Sequence, residues 1–177
     1  MNDDTGSGKY ELLLARCAGL EPVTTAVAHP CEETALAGAL EAGRRGLITP
    51  ILVGPVARIR ELAARHRLEL GTVELVDVPH SHAAAARAVQ LVREGRAELL
   101  MKGSLHSDEL LAEVLAREPG LRTSRRLSHV FIMDVPTYHK VLLVTDGGIN
   151  INPGLEEKAD ICRNAIDLAI SLGVAQP

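Results

Sequence analysis

The stretch Val73–Lys102, VELVDVPHSHAAAARAVQLVREGRAELLMK, decides how this chain is read. VELVDV (Val73–Val78) is a short, β-branched strand pattern. SHAAAARAVQLVREG (Ser81–Gly95) sets Ala, Val and Leu at helical spacing behind Ser81, a suitable N-cap. Glu98–Met101 is apolar again, and a strand, a helix and a strand joined this closely imply a parallel crossover.

The same grammar extends in both directions. Upstream lie a strand at Val23–His29, a helix over Cys31–Gly46, and a strand at Ile51–Val53 stopped by Gly54-Pro55. An amphipathic helix follows over Val56–Leu68, with Ile59, Leu62 and Ala63 on one face. Downstream, Ser107–Glu118 reads as the helix after the fourth strand. These alternations predict an α/β fold, a three-layer αβα arrangement around a mostly parallel sheet.

The pattern changes after Pro119-Gly120. His129–Val135 and Val141–Thr145 are apolar runs separated by a Pro136 turn, which fits an antiparallel or mixed pair. Leu155–Gly173 is a long amphipathic helix offering Ile161, Ile166, Leu168 and Ala169 for burial. The expected organisation is a disordered polar tail at 1–9, an α/β domain at 10–120 and a partial second domain at 121–177, partial because no strand follows the last helix. Its unpaired edge predicts a dimer or larger assembly.

Composition narrows the function. With 177 residues, 46% of them hydrophobic, a core can form, but no Trp, one Phe and two Tyr leave Ala, Leu, Val and Ile to fill it. A net charge of −4 gives no reason to expect nucleic acid, and the arginines at 122, 125 and 126 make only a small basic patch. Three cysteines (17, 31, 162) form no CxxC pair, pointing to a reducing, cytoplasmic setting. No run has the roughly 20 apolar residues that span a bilayer, and no signal peptide is evident.

Two loops hold the chemistry-bearing residues. Lys102-Gly103-Ser104-Leu105-His106-Ser107 joins a strand to a helix, at the sheet end where α/β folds collect ligands. The helix start leaves N–H groups unpaired, Gly103 permits close approach, and Lys102 adds a charge, together suiting an anion such as phosphate. Ser104, His106 and Ser107 add donors. A helix capped by Ser107, with Asp108 and Glu109 favouring its dipole, accounts for the same residues without any ligand. The glycine spacing is not that of a Walker loop.

The second loop is Thr145–Pro153, TDGGININP, where Asp146, Asn150 and Asn152 sit among glycines before the last helix. These are also ordinary turn residues. The seven histidines show no HExxH and no zinc-type spacing with cysteine, so no metal is expected. Cys31, at a helix start, has no base that can be paired with it from sequence.

REGRAELLMKGSLHSDELLAEVL, followed by GLRTSRRLSHVFIMDVPTYHKVLLVTDGGININPGLEEKADICRNAIDLAISLGV, resembles the phosphate acetyltransferase/phosphate butyryltransferase family. The strings KGS-x-H-[ST]-D-E-L and TD-x-x-INI-x-P carry the likeness, which runs from about Tyr10 to the last residue. It is closest to the phosphate-acetyltransferase-like proteins found with enoyl-CoA hydratase domains. The resemblance implies two α/β domains like those of isocitrate and isopropylmalate dehydrogenases. It implies reversible acyl transfer between coenzyme A, as a substrate and not a bound cofactor, and inorganic phosphate.

On that resemblance Lys102, Gly103, Ser104, His106 and Ser107 would bind the phosphate-bearing substrate, and Asp146 and Asn150 would line the same cleft. No general base is assigned. Family motifs tied to the chemical step are missing, and Leu111 stands where acetyl-specific relatives have an arginine near coenzyme A. The expected partners are small molecules, a second copy of the chain, and another chain completing the fold. The alternative is a non-catalytic coenzyme A/phosphate-binding or assembly module of the same family.

Overall fold

The computed structural model describes residues 8–177, so most of the polar tail expected at 1–9 lies outside the described residues. By packing, the chain divides into two compact units: Leu20–Arg122, and the residues up to Gly19 together with Thr123–Pro177.

Leu20–Arg122 contains β1 and β2, α2 and α3, β3, α4, β4 and α5. Their ranges are β1 (Val23–Ala28), α2 (Glu33–Arg44), β2 (Ile48–Gly54), α3 (Val56–His66), β3 (Glu74–Asp77), α4 (Ser81–Arg93), β4 (Leu99–Lys102) and α5 (Ser107–Leu115). The strands form one parallel sheet in the order β3-β2-β1-β4. The chain therefore steps from β1 outward to β3, then returns across the sheet to place β4 on the other side of β1. Reversing direction while keeping the same crossover hand moves the helix to the opposite face. The packing follows this rule.

Val27 and Leu52 face α2 and α3, in a core with Leu36, Leu40 and Ile59. Ala26, Ala28, Ile51 and Val53 face the other way, against Ala84, Ala85, Ala88 and Leu91 of α4. The central strands β1 and β2 are thus buried on both faces, giving three layers, and they read as apolar runs, whereas the edge strands β3 and β4 are exposed at both their ends. The alanines of α4 let that helix lie close over β1 and β2, which it must cross to reach β4.

The second unit holds α1 (Lys9–Cys17), β5 (Val130–Met133), β6 (Leu142–Thr145) and α6 (Leu155–Ser171). β5 and β6 pair antiparallel, Val130 opposite Thr145 and Met133 opposite Leu142, as the two closely spaced apolar runs predict. Helix α1 was not legible in the alternating pattern. It buries no residue, and Lys9 fastens its start: Nζ donates to Asp134 Oδ1 at 3.0 Å, Val135 O at 2.8 Å and Tyr138 O at 2.6 Å.

Several element ends differ from expectation. α4 is capped by His80, whose Nδ1 accepts from Ala83 N at 3.2 Å, so Ser81 is the first helical residue and not the cap. Likewise His106, not Ser107, is the N-cap of α5, and α5 stops at Leu115 and not Glu118. β2 starts at Ile48 and runs through Pro50, further than the ILV core alone indicates.

Candidate functional site

A doubly wound sheet binds ligands where its strand order reverses, at the carboxyl ends of the strands. Here that point lies between β1 and β4. Two chain segments leave the sheet there: His29-Pro30-Cys31 after β1, and Gly103-Ser104-Leu105-His106 after β4.

The two segments are knitted together. Gly103 N donates to Ala28 O and Ser104 N to His29 O, each at 2.9 Å. Ser104 Oγ donates to His29 O at 2.8 Å, and Cys31 N donates to Ser104 Oγ at 3.1 Å. A Cβ at Gly103 would stand 2.5 Å from the His29 carbonyl oxygen and closer still to that of Ala28. Only glycine fits. The backbone approach that the sequence offered to a ligand is made by the chain's own β1–α2 loop. Leu105 is buried with Ala28, Ala84 and Ala88, plugging the turn into the core.

The predicted site residues of this turn then differ in what they have left to offer. Lys102 Nζ folds back on its own turn, donating to Leu105 O at 2.9 Å and Gly103 O at 3.3 Å, so one of three ammonium protons remains. Ser104 has committed its only proton. His106 and Ser107 are exposed and make no side-chain hydrogen bond among the described residues, and α5 has no side-chain cap. The first amides of α5 are therefore open beside one lysine proton, a hydroxyl and an imidazole, an arrangement that accepts an anion. Asp108 and Glu109 in the same turn work against a highly charged one.

Around this point stand further titratable groups that the sequence did not connect. His29 is half-buried, with Nδ1 3.3 Å from Ser104 Oγ. Desolvation and then the Arg58 guanidinium lower its pKa, while Glu109 and Glu32 oppose the shift. Burial raises the pKa of the Cys31 thiol, Arg58 partly offsetting it, so the thiol stays protonated and is no nucleophile. Glu109 Oε2 is buried without a donor, and His82 Nδ1 lies 3.9 Å away.

Asp146 and Asn150 belong to the other unit. Asp146 has a left-handed backbone, φ 49°, and its carboxylate accepts from His129 N at 3.3 Å and Asn150 N at 2.9 Å. Desolvation pushes its pKa up, but the hydrogen bonds from Asn150 and His129 outweigh this and the net shift is downward. Asn150 Nδ2 donates to Leu127 O at 3.0 Å. Both side chains thus shape the loop that leads to α6. Among the described residues no three His, Cys, Asp or Glu side chains are grouped to hold a metal, and no helix is long and apolar enough to cross a membrane.

The profile of the family described as "Phosphate acetyl/butaryl transferase" matches residues 81–177. The phosphate acetyltransferase of Rhizobium meliloti is 62% identical, over 96% of this chain and 54% of that protein. The phosphate butyryltransferase of Clostridium acetobutylicum is 32% identical, over 95% of this chain and 56% of the other. Among solved structures, a phosphotransacetylase from Streptococcus pyogenes superposes with a TM-score of 0.78 at 17% identity, covering 98% of this chain and 60% of that one, which speaks to the fold. The chain spans about half the length of the curated relatives it matches.

Proposed function

The chain belongs to the phosphate acetyl/butaryl transferase family, and from that premise we propose that it serves reversible transfer of an acyl group between coenzyme A and inorganic phosphate. The observation that carries the reading is the open amino end of α5 at the strand-order reversal, flanked by Lys102, His106 and Ser107. In this reading those groups receive the phosphate-bearing end of the substrate, while Gly103 and Ser104 hold the turn in shape. Asp146 and Asn150 act by ordering the Thr145–Pro153 loop, and the likeness to isocitrate and isopropylmalate dehydrogenases describes how the domains divided near Gly120 are built. The setting is cytoplasmic and the assembly a homodimer or larger. The substrates are small molecules, and no resident cofactor is required.

Acyl transfer of this kind needs a phosphate site, a base for the thiol and donors for the developing oxyanion. A second reading, a module that binds coenzyme A or phosphate without turnover, is favoured by one specific feature. Lys102 directs two of its three ammonium protons into its own turn, and Ser104 spends its hydroxyl on the loop after β1.

Free thiol released from acetyl-CoA or butyryl-CoA, with and without phosphate, tests the proposal. Phosphate-dependent release that falls on Ser107→Ala and Lys102→Ala supports the transferase. Calorimetric binding of coenzyme A with no release supports the binding module, and absence of both contradicts each.

A further inference from the structure

The chain has four lysines, and they differ in how many ammonium protons are already committed. Lys9 spends all three, on Asp134 Oδ1, Val135 O and Tyr138 O. Lys140 and Lys158 are exposed and make no side-chain hydrogen bond among the described residues. Lys102 lies between these cases. It ends β4, is exposed, and donates to Leu105 O at 2.9 Å and Gly103 O at 3.3 Å.

Those two carbonyls are fixed points. Gly103 fits against Ala28 and His29 only for want of a Cβ, and Leu105 is buried in the core. An ammonium nitrogen held by two of its protons has its third directed away from both acceptors. When that proton leaves, the neutral amine keeps both hydrogen bonds, and its lone pair takes the third proton's place. Deprotonation at Lys102 therefore breaks neither contact, and the resulting nucleophile is aimed off the turn. Lys9 would have to give up one of its three bonds, and nothing orients Lys140 or Lys158.

The proposed reaction supplies an electrophile for such an amine. An acyl phosphate is an activated acyl donor, and its phosphate is the group that the open amides of α5 and Lys102 receive. Its acyl carbon lies one bridging oxygen from phosphorus. Seating the phosphate at this turn brings that carbon to the same nitrogen.

We propose that Lys102 is a self-acylation site, modified by the acyl phosphate that the reaction yields; this rests on the acyl-transfer reading above. The neutral Nζ attacks the acyl carbonyl carbon and forms the C–N bond. The bond from that carbon to the bridging oxygen breaks with its electron pair on phosphate. Nζ sheds one proton, and the phosphate takes it up and leaves as hydrogen phosphate. Nothing is oxidised or reduced. The resulting amide has a single N–H, so only one of the two carbonyls keeps its donor, and the positive charge beside the α5 amides is gone. Accumulated acyl phosphate thereby weakens the turn that binds phosphate, a feedback worth about two- to five-fold in affinity for one exposed charge.

Incubating the full chain with acetyl phosphate and following each lysine by peptide mass spectrometry tests this. Lys102 should be acetylated about tenfold faster than Lys140 and Lys158, and inorganic phosphate at constant ionic strength should slow Lys102 alone. After treatment, phosphate affinity by calorimetry should fall by about two- to five-fold. Lys102→Arg, which keeps a charge but is a far poorer nucleophile, should show no such fall. Equal rates at Lys102, Lys140 and Lys158 overturn the proposal and leave the acyl-transfer reading standing, as does a Lys102 rate indifferent to phosphate that calorimetry shows to bind. Absence of phosphate binding defeats that reading and the proposal with it.

Discussion

The two units reach order by different means. In Leu20–Arg122 the central strands are sealed: Ala26, Val27, Ala28, Leu52 and Val53 are all fully buried beneath two helix layers. In the unit containing β5, β6 and α6, Phe131 and Val144 on the paired strands remain about half exposed, at 50% and 48%. Polar contacts do much of the ordering there instead. Arg125 Nε donates to Asp160 at 2.7 Å, Asn164 Nδ2 donates to Arg126 O at 2.9 Å, Arg126 pairs with Glu157, and Asp146 gathers two backbone amides. Non-directional apolar burial and geometrically exacting polar contacts should therefore respond to different insults.

The largest effect is expected where the sealed unit has no room. Gly103→Ala drives a Cβ into the carbonyls of Ala28 and His29 and should cost about 3 kcal/mol, at the upper end for overpacking. Urea unfolding followed by circular dichroism measures it. A loss below about 1 kcal/mol would mean that the two loops are not locked together.

In the other unit, Lys9→Ala removes three hydrogen bonds from a largely buried ammonium. It should cost about 1.5 kcal/mol and speed amide exchange in Val130–Thr145. Unchanged exchange there would remove α1 from the set of ordering contacts.

The sign of a pH effect separates the units further. The Asp146 carboxyl titrates below its ordinary value of 3.8, so its contribution is present above that value and is lost as pH falls through the lower folded pKa. The stability difference between the unsubstituted protein and Asp146→Asn should be largest near neutrality and vanish in strong acid. A difference independent of pH would show that the amides do not recognise the charge. The smallest effect belongs to the cap of α4, where His80→Ala should cost about 0.5 kcal/mol by the same urea measurement. A cost near 2 kcal/mol would point to a role for His80 beyond capping.

What was legible in the sequence follows the same division. β1 and β2, buried on both faces, announce themselves as apolar runs, and the regular alternation of short strands with amphipathic helices made β3, β4 and the crossovers readable as well. Helix α1 could not, because the contacts of Lys9 join positions more than a hundred residues apart. Ser81 and Ser107 were sensible caps by residue type, yet a histidine precedes each and takes the cap position. Gly103 was identified as a place of close approach, but sequence could not show that β1 would lie beside β4 and fill it. His29 left one signal, a histidine-proline pair directly after an apolar strand. Its connection to Ser104 depends on strand order alone.

The central claim is that ligands enter at the carboxyl ends of β1 and β4. Amide shift mapping of the isotopically labelled chain, titrated with coenzyme A and with inorganic phosphate, addresses it most directly. The account predicts that the perturbed amides cluster at His29–Cys31 and Gly103–Glu109. Perturbations confined to 123–177, or scattered without a centre, would contradict it.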